Sequence, residues 1–167
     1  MKVIRATHDV ACSEARFWEL YLDETFTRAL FTQKMGWDDP YIEVIKDDER
    51  EVVRKMEAQP KLQIPGAVSR LISKTLGYTE DGRFDKTEQR WTMKHDTNIF
   101  GKKLDLLGIF TTEPKGEDRC VRHAEMRIDA KMFGVAGIIE RAVESNMSRL
   151  LGEGIEFTND WIKKHPA

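Results

Sequence analysis

The C-terminal part of the chain sets the tightest constraint on the fold. Val135, Ile138, Ile139, Ala142, Val143, Met147, Leu150, Leu151, Ile155, Trp161 and Ile162 recur at helical spacing and form one apolar stripe. Glu140, Arg141, Glu144, Arg149, Glu156, Asp160, Lys163 and Lys164 fall mostly on the opposite face. At about 1.5 Å per residue the run 135–162 makes a helix roughly 42 Å long, and its apolar side must lie across something of comparable length. Gly152 and Gly154 sit inside the stripe, where each costs about 1 kcal/mol relative to Ala. Either the helix bends there, or it breaks after Leu151 and restarts near Ile155.

The rest of the chain reads mainly as strands. Residues 2–10 alternate, with Ile4, Ala6 and Val10 on one face, and Ser13 follows as a helix N-cap. From Glu14 to Met35 the apolar residues recur at helical spacing, broken at Asp23-Glu24-Thr25 into two short helices, with Gly36 ending the second. Tyr41–Asp47 and Glu51–Ala58 read as a hairpin that sets Ile42, Val44 and Ile45 against Val52, Val53 and Met56. Pro65 at a first helical position, the apolar face Val68, Leu71, Ile72 and Leu76, and Gly77 after the last turn predict a third short helix. Asp81-Gly82 reads as a tight turn, so the next strand is expected over Phe84–His95, with Trp91 and Met93 on one face. A further strand spans Lys103–Glu113, and after the turn at 114–118 Cys120, Arg122, Ala124, Met126, Ile128, Ala130 and Met132 alternate with mostly charged residues. One side of the sheet is therefore wet and the other dry.

A chain of 167 residues, 40% hydrophobic and 34% charged, has the make-up of a single globular domain over residues 1–167, large enough to need no disulfide or metal. Lys plus Arg number 27 against 29 Asp plus Glu, with the signs interspersed, which argues against a nucleic-acid partner. Cys12 and Cys120 show no metal spacing and suit two reduced thiols, the N-terminal residues carry charges where a secretory signal needs an apolar run, and a cytoplasmic location is expected. There is no HExxH, GxSxG, Walker loop or GxGxxG, so neither a cofactor nor a catalytic residue is assigned. His8 and His95 are expected to point inward, as are Asp105 or Glu125 if the register slips by one. His123 and His165 are expected in solvent.

The order of elements resembles the START-like helix-grip superfamily, the group that includes the birch-pollen allergen and steroidogenic lipid-transfer domains, and within it a bacterial branch. The residues that carry the likeness are Ser13 with Phe17 or Trp18, Leu22-Asp23-Glu24-Thr25-Phe26, Met35-Gly36, Glu43-Val44-Ile45, Leu62-Gln63-Ile64-Pro65, Glu88-Gln89-Arg90-Trp91 and Phe133–Glu140. The resemblance spans nearly the whole chain. It implies an α+β fold in which a curved antiparallel sheet wraps around the long C-terminal helix, with two short helices after the first strand and a hydrophobic cavity between sheet and helix.

Periodicity alone fits a solid core equally well, since apolar faces bury themselves in every fold. With the resemblance, Trp91, Met93, Leu106, Phe110, Met126, Ile128, Ile139, Val143, Met147 and Leu150 are the expected cavity walls. The expected function is binding, and transport in some form, of a hydrophobic small molecule such as a lipid or sterol, without catalysis. A polyketide cyclase or aromatase-like enzyme and a co-chaperone-like interaction module are the alternatives on the same fold. The 65–76 helix, with Lys61, Arg70 and Lys74 nearby, reads as an ordinary helix on the sheet edge, or else as a lid or a transient membrane contact. A monomer is expected, with a dimer left open.

Overall fold

The long stripe folds as one helix, α4 (Ala136–Lys164), which runs through Gly152 and Gly154 without a break. A Cβ at either glycine would meet nothing within 4 Å, so neither is there to relieve a clash. The computed structural model describes residues 1–64, 66–70 and 75–166, with Ala67 and Val68 described by backbone alone. Around α4 curves a seven-stranded antiparallel sheet: β1 (Lys2–Val10), β2 (Tyr41–Asp47), β3 (Glu51–Ala58), β4 (Tyr78–Asp85), β5 (Arg90–Thr97), β6 (Leu104–Pro114) and β7 (Cys120–Ala130), in the order β1-β7-β6-β5-β4-β3-β2. Six strands thus follow one another as a meander, and β1 closes onto β7 with Lys2 opposite Ile128 and Val10 opposite Cys120.

Two short helices link β1 to β2. Ser13 caps α1 (Glu14–Leu22) by accepting from the Arg16 amide, and Asp23 caps α2 (Glu24–Ala29) by accepting from the Phe26 amide, so the polar break seen in sequence is the second N-cap. Helix α2 continues as a wider π-helical stretch, Leu30–Lys34. Phe17 and Trp18 of α1 pack with Val10, Phe84 and Trp91. Helix α4 is pinned to β1 along its length: Lys2 pairs with Glu144, and the Asn159 side chain accepts from the Ala11 amide and donates to the Asp9 carbonyl.

Three expectations are corrected. Strand β4 runs straight through Asp81-Gly82, and the real turn is at 86–89, because Gly82 is a packing position: a Cβ there would lie 1.9 Å from Trp91 Cζ2. In the β2–β3 hairpin Ile42 does oppose Met56, but the same register sets Val44 opposite Arg54, a bulge then shifts the pairing between Val44 and Lys46, and both Val44 and Ile45 are exposed. The expected helix over 65–76 is a four-residue turn, α3 (Gly66–Ser69), among the described residues. Pro65, Leu71, Ile72 and Lys74 lie outside them, and residues 75–77 are not helical.

Candidate functional site

Between α4 and the concave face of the sheet lies a cavity of about 190 Å³. The sheet contributes Met56, Met93, Leu106, Phe110 and Met126, and α4 contributes Ile139, Val143, Met147, Leu150 and Gly154. Tyr21, Phe26, Phe31 and Trp37 from the α1–β2 region close one end, while Leu62, Ile64, Leu76 and Phe100 approach from the β3–β4 and β5–β6 connections. The walls are overwhelmingly apolar, with thioethers that adapt to shape.

Of the residues expected as walls, Met93, Leu106, Phe110, Met126, Ile139, Val143, Met147 and Leu150 border this space. Trp91 and Ile128 do not. Trp91 fills the place left by Gly82 and sits in the aromatic cluster with Phe17, Trp18 and Phe84, and Ile128 is sealed among Leu104, Ala130 and Ile139. Both are fully buried, so inward direction was legible but depth was not.

Several polar side chains on these walls were missed from sequence. Strand alternation puts Arg54 on the same face as Val52 and Met56, and register puts Glu80 directly opposite His95. His95 Nε2 lies 3.1 Å from Glu80 Oε2, Arg54 Nη2 is 3.6 Å from Glu80 Oε1, and Arg54 donates to the Tyr21 carbonyl at 3.1 Å while stacking over the Trp91 ring at 4.8 Å. Burial alone would raise the Glu80 carboxyl, but His95 and Arg54 offset that and hold it below its ordinary value. Tyr78 lies beside His95, 5.3 Å between ring centroids, and burial pushes its hydroxyl well up, as it does that of Tyr21.

Arg122, on the inner face of β7 opposite His8, is 4% exposed. Its Nη2 approaches His8 Nδ1 at 3.0 Å and donates to the Leu151 carbonyl of α4 at 3.1 Å, and its guanidinium lies 5.0 Å from the Phe110 ring centroid. Burial brings it down to about 10, still charged at neutral pH, and burial followed by the Arg122 charge lowers His8. His8 and His95 therefore do face inward. Asp105 and Glu125 face outward, paired with Lys131 and with Arg5 and Arg127.

Asn146, 4% exposed on α4, makes a two-sided clasp. Its Oδ1 accepts from the Gln63 amide at 3.0 Å and its Nδ2 donates to the Gln63 carbonyl at 2.8 Å, tying the β3–β4 connection down over the cavity. Among the described residues, no group of His, Cys, Asp and Glu is placed to hold a metal ion, and no helix is long and apolar enough to cross a membrane.

Residues 5–162 match the profile of a family described as "Protein of unknown function (DUF2505)". The chain belongs to that family. No curated protein sequence matches it. Among solved structures, it is similar to a norcoclaurine synthase point mutant from Thalictrum flavum in complex with a transition-state analogue (TM-score 0.68, 15% identity, 99% of this chain and 96% of that one). It is also similar to the Zhui aromatase/cyclase from a Streptomyces species (0.63, 10%, 99% and 96%). A START superfamily protein from Mycobacterium smegmatis is a third such structure (0.64, 9%, 96% and 98%). This DUF2505 chain therefore has the START-like helix-grip fold, and at such identities the likeness establishes the fold alone.

Proposed function

We propose that the chain binds one small, largely apolar molecule in the cavity and exchanges it by lifting residues 61–64, which Asn146 holds through Gln63, without covalent chemistry. The observation that carries this reading is the hollow itself. Protein interiors close-pack, yet here about 190 Å³ stays open behind apolar walls, and α4 keeps Gly154 on that wall at a cost to the helix. The volume lies between an engineered cavity of roughly 150 Å³ that takes benzene and the roughly 300 Å³ at which drug-sized pockets begin. It fits one or two rings or a short acyl chain better than a sterol or long-chain lipid. The buried free thiols Cys12 and Cys120 support a reducing, cytoplasmic setting.

Native mass spectrometry of the purified chain, followed by solvent extraction, tests the reading. It expects a defined adduct that Met147→Arg removes while the fold persists. A chain that arrives empty and ignores a panel of small aromatic and acyl compounds overturns it.

One observation favours a second reading, an enzyme of the cyclase or aromatase kind: the buried Glu80–His95 pair with Tyr78 beside it, on a fold whose similar structures include an aromatase/cyclase and a norcoclaurine synthase. There His95, oriented by Glu80, would take a proton from the bound molecule and return it. Recovery of the bound compound chemically changed, in the native chain but not in His95→Gln, would select that reading. An interaction module requires a filled interior, so the hollow does not favour it.

A further inference from the structure

We propose that the cavity's occupant carries a carboxylate and that Arg122 binds it; the inference rests on the cavity-binding reading and names the ligand class. Two guanidinium groups are buried on the cavity wall, and they are treated differently. Arg54 has Glu80 at 3.6 Å as counter-ion. Arg122 has none: among the described residues no carboxylate lies within 4.0 Å of it, and its partners are the neutral acceptors His8 Nδ1 and the Leu151 carbonyl, with the Phe110 ring alongside. Its Nε, fully buried, has no partner, which is also true of Arg54 Nε, so the difference between the two lies in the counter-ion. With Arg54 and Glu80 cancelling, the cavity wall keeps one unmatched positive charge.

A guanidinium cannot escape this by losing its proton, and a buried charge without a counter-ion is costly where an apolar residue of similar volume would be tolerated. His8 does not supply the missing charge, since an imidazole is neutral or positive, and burial beside Arg122 keeps it neutral. An anion arriving with the ligand does. A carboxylate can take a charge-assisted hydrogen bond from the Nε–H that His8 and Leu151 leave free, and Phe110, Met126 and Met147 leave room for an apolar body on the rest of the molecule. The second observation is Gly154. It follows Leu151, whose carbonyl Arg122 holds, by one turn on the same face of α4, and it lines the same cavity with open space where its Cβ would stand. Room is thus left on the wall that carries the free cation.

The test compares 1-naphthoate with 1-naphthylmethanol, equal in body and different in charge, by isothermal titration. The native chain is expected to bind the carboxylate about 10- to 100-fold more tightly, the range of a charge-assisted hydrogen bond. Arg122→Met is expected to abolish the difference in affinity between naphthoate and the carbinol. If both probes bind equally to the native chain, the cavity reading stands and the carboxylate reading falls. If neither binds, both fall. If the preference survives in Arg122→Met, another cation carries it and the assignment is wrong. Should Arg122→Met not fold, arginine-¹⁵N spectra of the native chain decide: naphthoate, and not the carbinol, is expected to shift the Arg122 Nε–H signal, and its failure to do so overturns the proposal.

Discussion

Substituting Gly82 by Ala places one methyl group where the ring of Trp91 already is. The added Cβ would stand 1.9 Å from Cζ2, 2.4 Å from Cη2 and 2.8 Å from Cε2, whereas ordinary contact begins near 3.4 Å, so ring or strand must retreat by about 1.5 Å. Trp91 has nowhere to go: it is fully buried, with the Arg54 guanidinium 4.8 Å from its ring and Tyr21 against its edge at 5.5 Å. Overpacking of this kind costs about 1–3 kcal/mol, and the pinned ring places it toward the upper end, while loss of glycine freedom in the unfolded chain returns about 0.4–1 kcal/mol. A net loss of about 2 kcal/mol lowers Tm by roughly 4–8 °C in a domain of this size. Thermal and urea unfolding followed by circular dichroism reads it, and Trp91→Leu in the Gly82→Ala background should cost less than Trp91→Leu alone. Gly82→Ala within about 0.5 kcal/mol of the native chain, or strictly additive effects of the two changes, would refute the packing argument.

Gly154→Ala should stabilise α4 by up to about 1 kcal/mol, because its Cβ meets open space, while Gly154→Leu should occlude the cavity and weaken binding of naphthylmethanol; a destabilised Gly154→Ala in urea unfolding contradicts this. Asn146→Leu removes both hydrogen bonds of the Gln63 clasp, so amide exchange at 61–64 should accelerate while exchange in β6 and β7 stays slow; unchanged exchange at 61–64 means the clasp does not hold the connection. Acid should destabilise the chain in two steps. His8 is lowered from 6.5, so the unfolded chain takes up its proton first and stability falls as pH drops below 6.5; Glu80 is lowered from 4.5, so its contribution is present above 4.5 and is lost below it. Urea midpoints between pH 8 and 3 should show this decline, with His8→Gln flattening its upper part, and a midpoint independent of pH refutes both assignments.

The elements easiest to read were those with a long uninterrupted period. The stripe of α4 and the alternation of β7 each bury one face over many residues, and both folded as their patterns demand. Asp81-Gly82 misled because a turn signal and a close-approach glycine look alike until the ring that fills the space is known, and that ring lies on the next strand. Losing β4 also hid Glu80. Arg122 stands in the inward alternation of its strand, but alternation says only which way a side chain points. Whether it meets a counter-ion depends on register across strands, which placed Glu80 within reach of Arg54 and gave Arg122 only a neutral imidazole opposite.

The pairing of the first strand with the last has a consequence for how the molecule assembles. Strands β2 to β7 join neighbour to neighbour, each through a local connection, and can zip up as the chain lengthens. β1 cannot join until β7 exists, since Val10 waits for Cys120 across more than a hundred residues. Until β1 pairs with it, β7 presents an unpaired, half-apolar edge, the kind that captures strands from other chains. α4 packs on both β1 and β7, so the surface that receives it is complete only once those two strands have paired.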